Sequence, residues 1–127
     1  ADWWNLTPIG IESYKIVNQE MSNIFKKEKR DFESIKKSVE LEILIAQDEK
    51  ELTSLKEKIR LNNNQEKFFG NWDEWSKTNL LGTPEQIFEK ISEYTDLGVE
   101  NFMLWFLDSP SLNGAEIFGE EVIKNFN

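Results

Sequence analysis

The stretch Gly82-Thr83-Pro84-Glu85-Gln86-Ile87 begins a segment that decides the fold of this chain. Thr83 is a favourable N-cap residue, and Gln86 follows at the third helical position, so the two predict a capping box at a helix start. Apolar residues then recur at three- and four-residue spacing and give this helix one apolar face: Ile87, Phe88, Ile91, Tyr94 and Leu97. Gly98 suits the left-handed turn that ends such a helix.

An apolar strand follows that turn. Residues 101–107 are apolar at every position after the first, and Asp108 comes directly after them. A strand that is apolar on both faces is typical of a parallel sheet covered by helices, so we expect this strand to be buried on both faces. Helix, turn and strand together indicate an α/β protein, in which functional residues follow the strands.

The rest of the chain repeats this alternation. Residues 2–6 are typical of a strand end, Thr7-Pro8 predicts a helix start, and a further strand is predicted over residues 38–46. Asp48 is the predicted cap of the next helix, and a last helix is predicted from about Asn113. The first helix carries apolar residues at helical spacing: Tyr14, Val17, Met21, Ile24 and Phe25. Strands that alternate with helices pair in parallel, so about three parallel strands with outer helices are predicted.

An aromatic segment interrupts this pattern at residues 65–81, which we interpret as an insertion. Phe68, Phe69, Trp72 and Trp75 lie within eight positions, and a short helix is predicted from Trp72. The cluster could line a cofactor pocket. An edge cover or a dimer contact is the favoured interpretation, because large aromatic patches mark interfaces.

Length and charge limit the possible functions. The chain has 127 residues, enough for a single domain spanning 1–127, whereas a complete eight-stranded α/β barrel needs about 250 residues. The net charge of -9 argues against nucleic acid and anionic membrane surfaces as partners. Neither a signal peptide nor an apolar run long enough to span a bilayer is present, so a cytoplasmic protein is expected.

Two residue types that carry much enzyme chemistry are missing. The chain has no cysteine and no histidine. It therefore lacks a thiolate metal site, a cysteine nucleophile, the usual zinc ligand and a Ser-His-Asp triad of its own. We predict no metal site and assign no catalytic residue.

Several motifs carry a resemblance to one family. Ala1-Asp2-Trp3-Trp4-Asn5 is similar to the Ala-Asp-Gly-Trp-Asn of the luciferase-like monooxygenases, with Trp3 in place of the glycine. Lys29-Arg30-Asp31-Phe32-Glu33-Ser34-Ile35 is similar to the family's Gly-Arg-Asp-Pro-x-x-Ile turn, without its glycine and proline. The segment from Gly82 to Phe106 resembles the family's C-terminal region. The likeness runs in the same order along nearly the whole chain, except for the aromatic insertion.

This resemblance implies a fold and a chemistry. The family comprises flavin- and deazaflavin-dependent oxidoreductases on a (β/α)₈ barrel, so we expect a partial barrel that corresponds to its C-terminal part. The cofactor implied is FMN or a deazaflavin. In the family, a glycine-rich loop that holds the flavin phosphate precedes the Ala-Asp-Gly-Trp-Asn motif, and this sequence begins at that motif. An incomplete active site is therefore expected, and whether this chain alone binds a cofactor stays open.

Candidate site residues follow from the position of barrel active sites at the carboxyl ends of the strands. Trp4 and Asn5 could flank a flavin ring, although aromatic residues there are more often core. Asp108 could bind cofactor or a substrate hydroxyl, although capping of the last helix is favoured. Glu40 and Glu42 could form an acid–base pair, but a solvated or salt-bridged layer is favoured for them.

Three hypotheses about function remain open. The chain is the C-terminal part of a luciferase-like oxidoreductase whose other part is a separate chain or was removed. Alternatively, it is a non-catalytic, self-associating partial barrel with a structural or binding role. A third hypothesis is a self-paired partial barrel that still binds flavin. Because open parallel strand edges seldom persist in a monomer, the expected partners are a second copy or a complementary N-terminal barrel chain.

Overall fold

The computed structural model describes residues 3–6, 9–63, 71–109 and 111–126. These residues form four strands and five α-helices, with a 3₁₀ turn at Phe32–Ser34. In chain order the elements are β1 (Trp3–Leu6), α1 (Ile11–Lys27), β2 (Lys36–Ile45), α2 (Glu49–Asn63), α3 (Trp72–Thr78), β3 (Leu80–Gly82), α4 (Pro84–Asp96), β4 (Val99–Phe106) and α5 (Asn113–Ile117). A π-helical turn (Phe118–Val122) and a 3₁₀ turn (Ile123–Phe126) continue α5.

Strand β2 is the centre of a parallel sheet. Ser38 pairs with Asn5 of β1 and also with Asn101 of β4, so these two strands lie on opposite edges of β2. Ile43 pairs with both Leu80 of β3 and Phe106 of β4, so β3 also lies on the edge opposite β4. Strands β1 and β3 therefore pair with the same edge of β2: β1 lies beside the first half of β2, and β3 lies beside its carboxyl end.

Helices α1 and α4 and the C-terminal helical segment cover one face of the sheet. The alternate residues of β2 on this face are buried together with one apolar side of each helix. The main core comprises Ile11, Tyr14, Val39, Leu41, Ile43, Ile45, Leu80, Ile87, Ile91, Tyr94, Val99 and Val122. This confirms the apolar face predicted for α4, whose Ile87, Ile91 and Tyr94 are buried.

A second, smaller core lies on the opposite face of β2, at its carboxyl end. Leu44 and Ala46 point to that face because side chains alternate along a strand. They pack with Leu52 and Ile59 of α2 and with Trp75 of α3. The carboxyl half of β2 is thus covered on both faces, as its wholly apolar sequence predicts.

The prediction that the last strand is buried on both faces was wrong. Asn101, Met103 and Trp105 are exposed, and the exposed fraction is 50% for Met103 and 62% for Trp105. In the described residues β4 pairs with β2 alone, and α2 and α3 reach only the carboxyl end of this face. We call the surface formed by Glu40 and Glu42 of β2 and Asn101, Met103 and Trp105 of β4 the open face.

Local motifs placed the helix ends correctly. The Gln86 Oε1 atom accepts a hydrogen bond from the Thr83 backbone N–H at 2.9 Å, and Gly98 has a φ of 94°. The Asp48 carboxylate accepts from the Glu51 N–H at 2.8 Å. These contacts confirm the predicted bounds of α4 and the predicted cap of α2.

Other predictions for the helices were less accurate. Helix α1 begins at Ile11 behind Gly10, whose φ is 87°, and the proposed start at Thr7-Pro8 lies outside the described residues. Ile24 was expected on the buried side of α1 but is 53% exposed, whereas its neighbour Phe25 is buried.

The segment interpreted as an insertion contains a strand that the sequence did not predict. Helix α3 begins at Trp72 as expected, while residues 65–70 lie outside the described part of the chain. Leu80–Gly82 then forms β3, which pairs with the end of β2. Three residues are too few to show strand periodicity, so the sequence pattern could not identify this strand.

Candidate functional site

A groove of about 1180 Å³ lies at the carboxyl ends of β2 and β4. Helix α2 forms one wall, and the loop after β4 together with α5 forms the other. Parallel α/β proteins bind ligands at this end of the sheet. The groove is therefore the first candidate site, and Asp108, predicted from the sequence, lines it.

Asp108 holds the start of α5 in place. Its Oδ2 atom accepts a hydrogen bond from the Gly114 N–H at 2.8 Å, and its backbone carbonyl accepts from the Ser111 N–H at 2.9 Å. A Cβ atom at position 114 would lie 2.8 Å from Asp108 Oδ1, so glycine allows this close approach. This is the capping contact that the sequence favoured for Asp108.

The charges along the groove are mostly negative. Five carboxylates and two lysines line it: Asp48, Glu51, Asp108, Glu116 and Glu120, with Lys50 and Lys58. Such a surface is unfavourable for a phosphate group, which is recognised by cations and by backbone N–H groups. The groove therefore suits an uncharged ring system better than the phosphate end of a flavin nucleotide.

Trp4 lies on the helix-covered face of the sheet, away from the groove. Its ring stacks on Tyr14 with centroids 5.7 Å apart and contacts Phe32 at 5.9 Å. Tyr14 in turn packs edge-on against Tyr94, and burial raises the pKa of both tyrosines to about 12. Trp4 is thus part of an aromatic core cluster, which was the alternative interpretation of this residue.

Asn5 points to the opposite face and belongs to a polar network. Its amide nitrogen donates to Glu40 Oε1 at 3.0 Å, and its Oδ1 accepts from the Ser38 hydroxyl at 2.6 Å. Ser38 is buried, while Asn5 itself is exposed. This network holds the Glu40 side chain at the end of the open face nearest to β1.

The structure does not bring the three predicted site residues together. Trp4 and Asn5 pair with Lys37 and Ser38, near the start of β2. Asp108 comes two residues after the β4 residue that pairs with Ile43. The five residues from Ser38 to Ile43, at about 3.3 Å each, separate Asn5 from that pair by roughly 17 Å along the strand, and Asp108 lies beyond it. The proposed contacts of Trp4 and Asn5 with a cofactor stay predictions.

The open face has its own small cavity of about 170 Å³, lined by Glu40, Leu41, Glu42 and Trp105. Glu42 pairs with Trp105 and Glu40 pairs with Met103 across the two strands, so these four side chains share one face. Glu42 Oε2 accepts a hydrogen bond from the Trp75 indole N–H at 3.4 Å. The Glu40/Glu42 spacing pointed to this face, but its β4 residues could be found only from the strand register.

Asn79 closes a gap on the edge of β2 between β1 and β3. Its Oδ1 accepts from the Glu42 backbone N–H at 2.9 Å, and its Nδ2 donates to the Trp75 carbonyl at 3.3 Å and the Thr78 hydroxyl at 3.1 Å. Asn79 is buried. The end of the segment interpreted as an insertion therefore covers a strand edge. The interpretation of the aromatic cluster as an edge cover or a dimer contact stays a prediction, and its Phe68 and Phe69 lie outside the described residues.

The described residues contain neither a membrane-spanning helix nor a cluster of metal ligands. Within residues 3–6, 9–63, 71–109 and 111–126, no helix is both long enough and apolar enough to cross a membrane. The same residues contain no group of three or more carboxylates placed to hold a metal ion.

Comparison with known proteins gives the strongest information on the fold. No family model matches the sequence, and no curated protein matches it. Among solved structures, a coenzyme F420-dependent tetrahydromethanopterin reductase from Methanopyrus kandleri superposes with a TM-score of 0.70 at 16% identity, over 100% of this chain. A riboflavin lyase with modified FMN and riboflavin gives 0.69 at 14% identity over 99% of the chain. An F420-dependent secondary alcohol dehydrogenase gives 0.65 at 15% identity over 97%.

The chain has the fold of a partial (β/α)₈ barrel. It spans 46%, 42% and 38% of the reductase, the dehydrogenase and the lyase, respectively. The partial barrel predicted from the sequence motifs is confirmed at the level of the fold. In this partial barrel, β1, β2 and β4 are the main parallel strands. The open face lies on the side of the sheet opposite α1 and α4, outside the carboxyl end that α2 and α3 cover.

Proposed function

We propose that this chain is the C-terminal part of a luciferase-like flavin- or deazaflavin-dependent oxidoreductase, whose active site is completed by further polypeptide. The superposition of nearly the whole chain on less than half of two F420-dependent enzymes and of a riboflavin lyase with modified FMN carries this proposal. The further polypeptide is either more of the same protein or a separate N-terminal barrel chain. The single partial-barrel domain, with its insertion at residues 65–81, would then be one portion of a larger barrel.

The groove at the carboxyl ends of β2 and β4 supports this assignment, because barrel enzymes place their active sites at that end. A bound flavin or deazaflavin would supply hydride transfer or oxygen activation. This chain would contribute a wall of the pocket, in which Asp108 keeps the loop after β4 and the start of α5 in one position. Because its groove is acidic, the phosphate end of the cofactor would bind to the completing polypeptide.

A specific observation favours the second candidate, a non-catalytic, self-associating partial barrel. On the same side of the sheet as the open face, helices α2 and α3 cover the carboxyl end of β2. Asn79 covers part of the edge of β2. These contacts protect the sheet within this chain itself. A chain that must stand without the other barrel strands needs such protection.

Flavin binding to two products distinguishes the hypotheses. One product is the 127-residue chain, and the other includes the protein encoded upstream in the same frame; each is titrated with FMN and with F420 while flavin fluorescence is followed. The proposal expects saturable micromolar binding by the longer product and none by the short chain. Equal binding by the short chain would instead support the self-paired flavin-binding barrel, and no binding by either product would exclude completion by the same protein.

A further inference from the structure

The open face combines exposed apolar area with half-buried carboxylates. Trp105 and Met103 are 62% and 50% exposed, and each stands directly beside a glutamate of β2. Glu40 and Glu42 are half-buried. A further layer over this face would bury Trp105 and Met103 favourably, and it would remove most of the remaining water from the two carboxylates.

The hydrogen bonds of these carboxylates come from neutral groups. Glu40 accepts from the Asn5 amide, and Glu42 accepts from the Trp75 indole N–H. Among the described residues, no lysine or arginine forms an ion pair with either glutamate. Because a carboxylate loses much free energy when it is buried without a cation, a covering layer has to bring positive charge to this position.

A second copy of the chain is a poor occupant for this face. Two copies joined symmetrically through it would place Glu40 and Glu42 of one copy near those of the other. The whole chain also carries a net charge of -9, which adds repulsion between copies. Charge complementarity therefore favours a different, cationic segment.

The free edge of β4 indicates the form of that segment. Strand β4 pairs with β2 on one side and with no other strand in the described residues. An unpaired edge is a template for an added strand, whose alternate side chains then reach the adjoining face.

We propose that the open face is an interaction surface for a cationic β-strand, which pairs along β4 and presents lysine or arginine to Glu40 and Glu42. This proposal rests on the proposed function, since the strand would belong to the polypeptide that completes the barrel. It deepens that function by naming the chemistry of the partner. Trp105 provides the apolar and π surface against which the stem of such a cation packs.

Two synthetic peptides test this proposal without any flavin. The first is a capped ten-residue strand peptide in which arginine alternates with valine, and the second carries glutamine in place of each arginine. Binding to the 127-residue chain is measured by calorimetry, and the Trp105 indole resonance, assigned with Trp105→Phe, reports the location. Flavin titration is a separate experiment, so failure of this proposal is distinguishable from failure of the proposed function.

Two double variants provide the comparison. Glu40→Gln/Glu42→Gln removes the charges of the open face, whereas Glu89→Gln/Glu93→Gln removes two exposed charges from α4. We expect the arginine peptide to bind about tenfold more weakly to the first variant and unchanged to the second. The glutamine peptide is expected to bind wild type about tenfold more weakly than the arginine peptide.

Several results would overturn the proposal. One is equal binding of the arginine peptide to wild type and Glu40→Gln/Glu42→Gln, and another is no binding of either peptide. Light scattering provides a third. The chain alone could form a dimer that Trp105→Ser converts to a monomer, while Ile16→Ser, at an exposed position of α1, leaves the dimer intact. That result would assign the open face to a second copy.

Discussion

Replacement of Asn79 by alanine tests the interpretation of the sheet edge. Asn79 occupies the gap between β1 and β3, where its Oδ1 accepts from the Glu42 N–H at 2.9 Å. The variant removes this acceptor and leaves a backbone N–H of the central strand without its partner. An unsatisfied donor at a buried position costs about 1–3 kcal/mol, so we expect the free energy of unfolding to fall by about 2 kcal/mol.

Urea unfolding followed by circular dichroism measures that change, and hydrogen exchange locates it. A loss of about 2 kcal/mol at this contact corresponds to roughly 30-fold faster exchange of the Glu42 amide. Asn23→Ala is the matched control, because Asn23 is exposed on α1 and its side-chain oxygen accepts a hydrogen bond from the equally exposed Gln19. Its effect should stay within about 0.5 kcal/mol.

One result would refute the reasoning about the edge. If Asn79→Ala unfolds within about 0.5 kcal/mol of wild type and the Glu42 amide exchanges at its original rate, Asn79 does not substitute for a strand partner. A loss of stability with unchanged exchange at Glu42 would also contradict it. In that case the amide contacts of Asn79 with Trp75 and Thr78 would be the important ones.

Three further predictions concern the two cores and the groove. Leu44→Ala, in the covered carboxyl end of β2, should lower the free energy of unfolding in urea by about 2–5 kcal/mol, whereas Met103→Ala on the open face should change it by less than about 1 kcal/mol. Similar losses in the two variants would contradict the distinction between the covered end and the open face. Asp108→Ala should cost about 1 kcal/mol through loss of the α5 cap, and Asp108→Asn should recover part of it; equal losses would exclude the cap. Burial raises the pKa of Tyr14 and Tyr94 from 10.0 to about 12, so stability should be full below pH 10 and fall as the pH rises toward 12. Tyr14→Phe removes a buried hydroxyl that has no hydrogen-bond partner among the described residues, so the variant should keep neutral-pH stability and reduce the alkaline loss; an unchanged alkaline profile would argue against titration of Tyr14.

Local features of the fold could be predicted from the sequence because they depend on neighbouring residues. The caps at Asp48 and Thr83, the turn at Gly98 and the apolar face of α4 are set by residues within four positions of one another. The order of strands and helices, together with the family resemblance, then gave the partial barrel. The fold comparison confirms that architecture.

Long-range features could not be predicted in the same way. The apolar sequence of β4 suits two covered faces, but its burial depends on layers that other segments provide. The sequence predicts one shared site for Trp4, Asn5 and Asp108, because barrel active sites lie at the carboxyl ends of the strands. The register of β1 beside the first half of β2 separates them, and register depends on pairing between strands that are far apart in sequence.

The central position of β2 has a consequence for how this chain is made. Each of the other three strands pairs with β2, and the contacting residues are already 33 apart at Asn5 and Ser38 and 37 apart at Glu42 and Asn79. Pairs so distant in sequence close slowly, because a long loop must be ordered before any strand contact forms. During translation, β2 leaves the ribosome long before β4 is synthesised, so one of its edges waits unpaired. A chaperone that shields extended apolar segments would therefore meet this chain at β2.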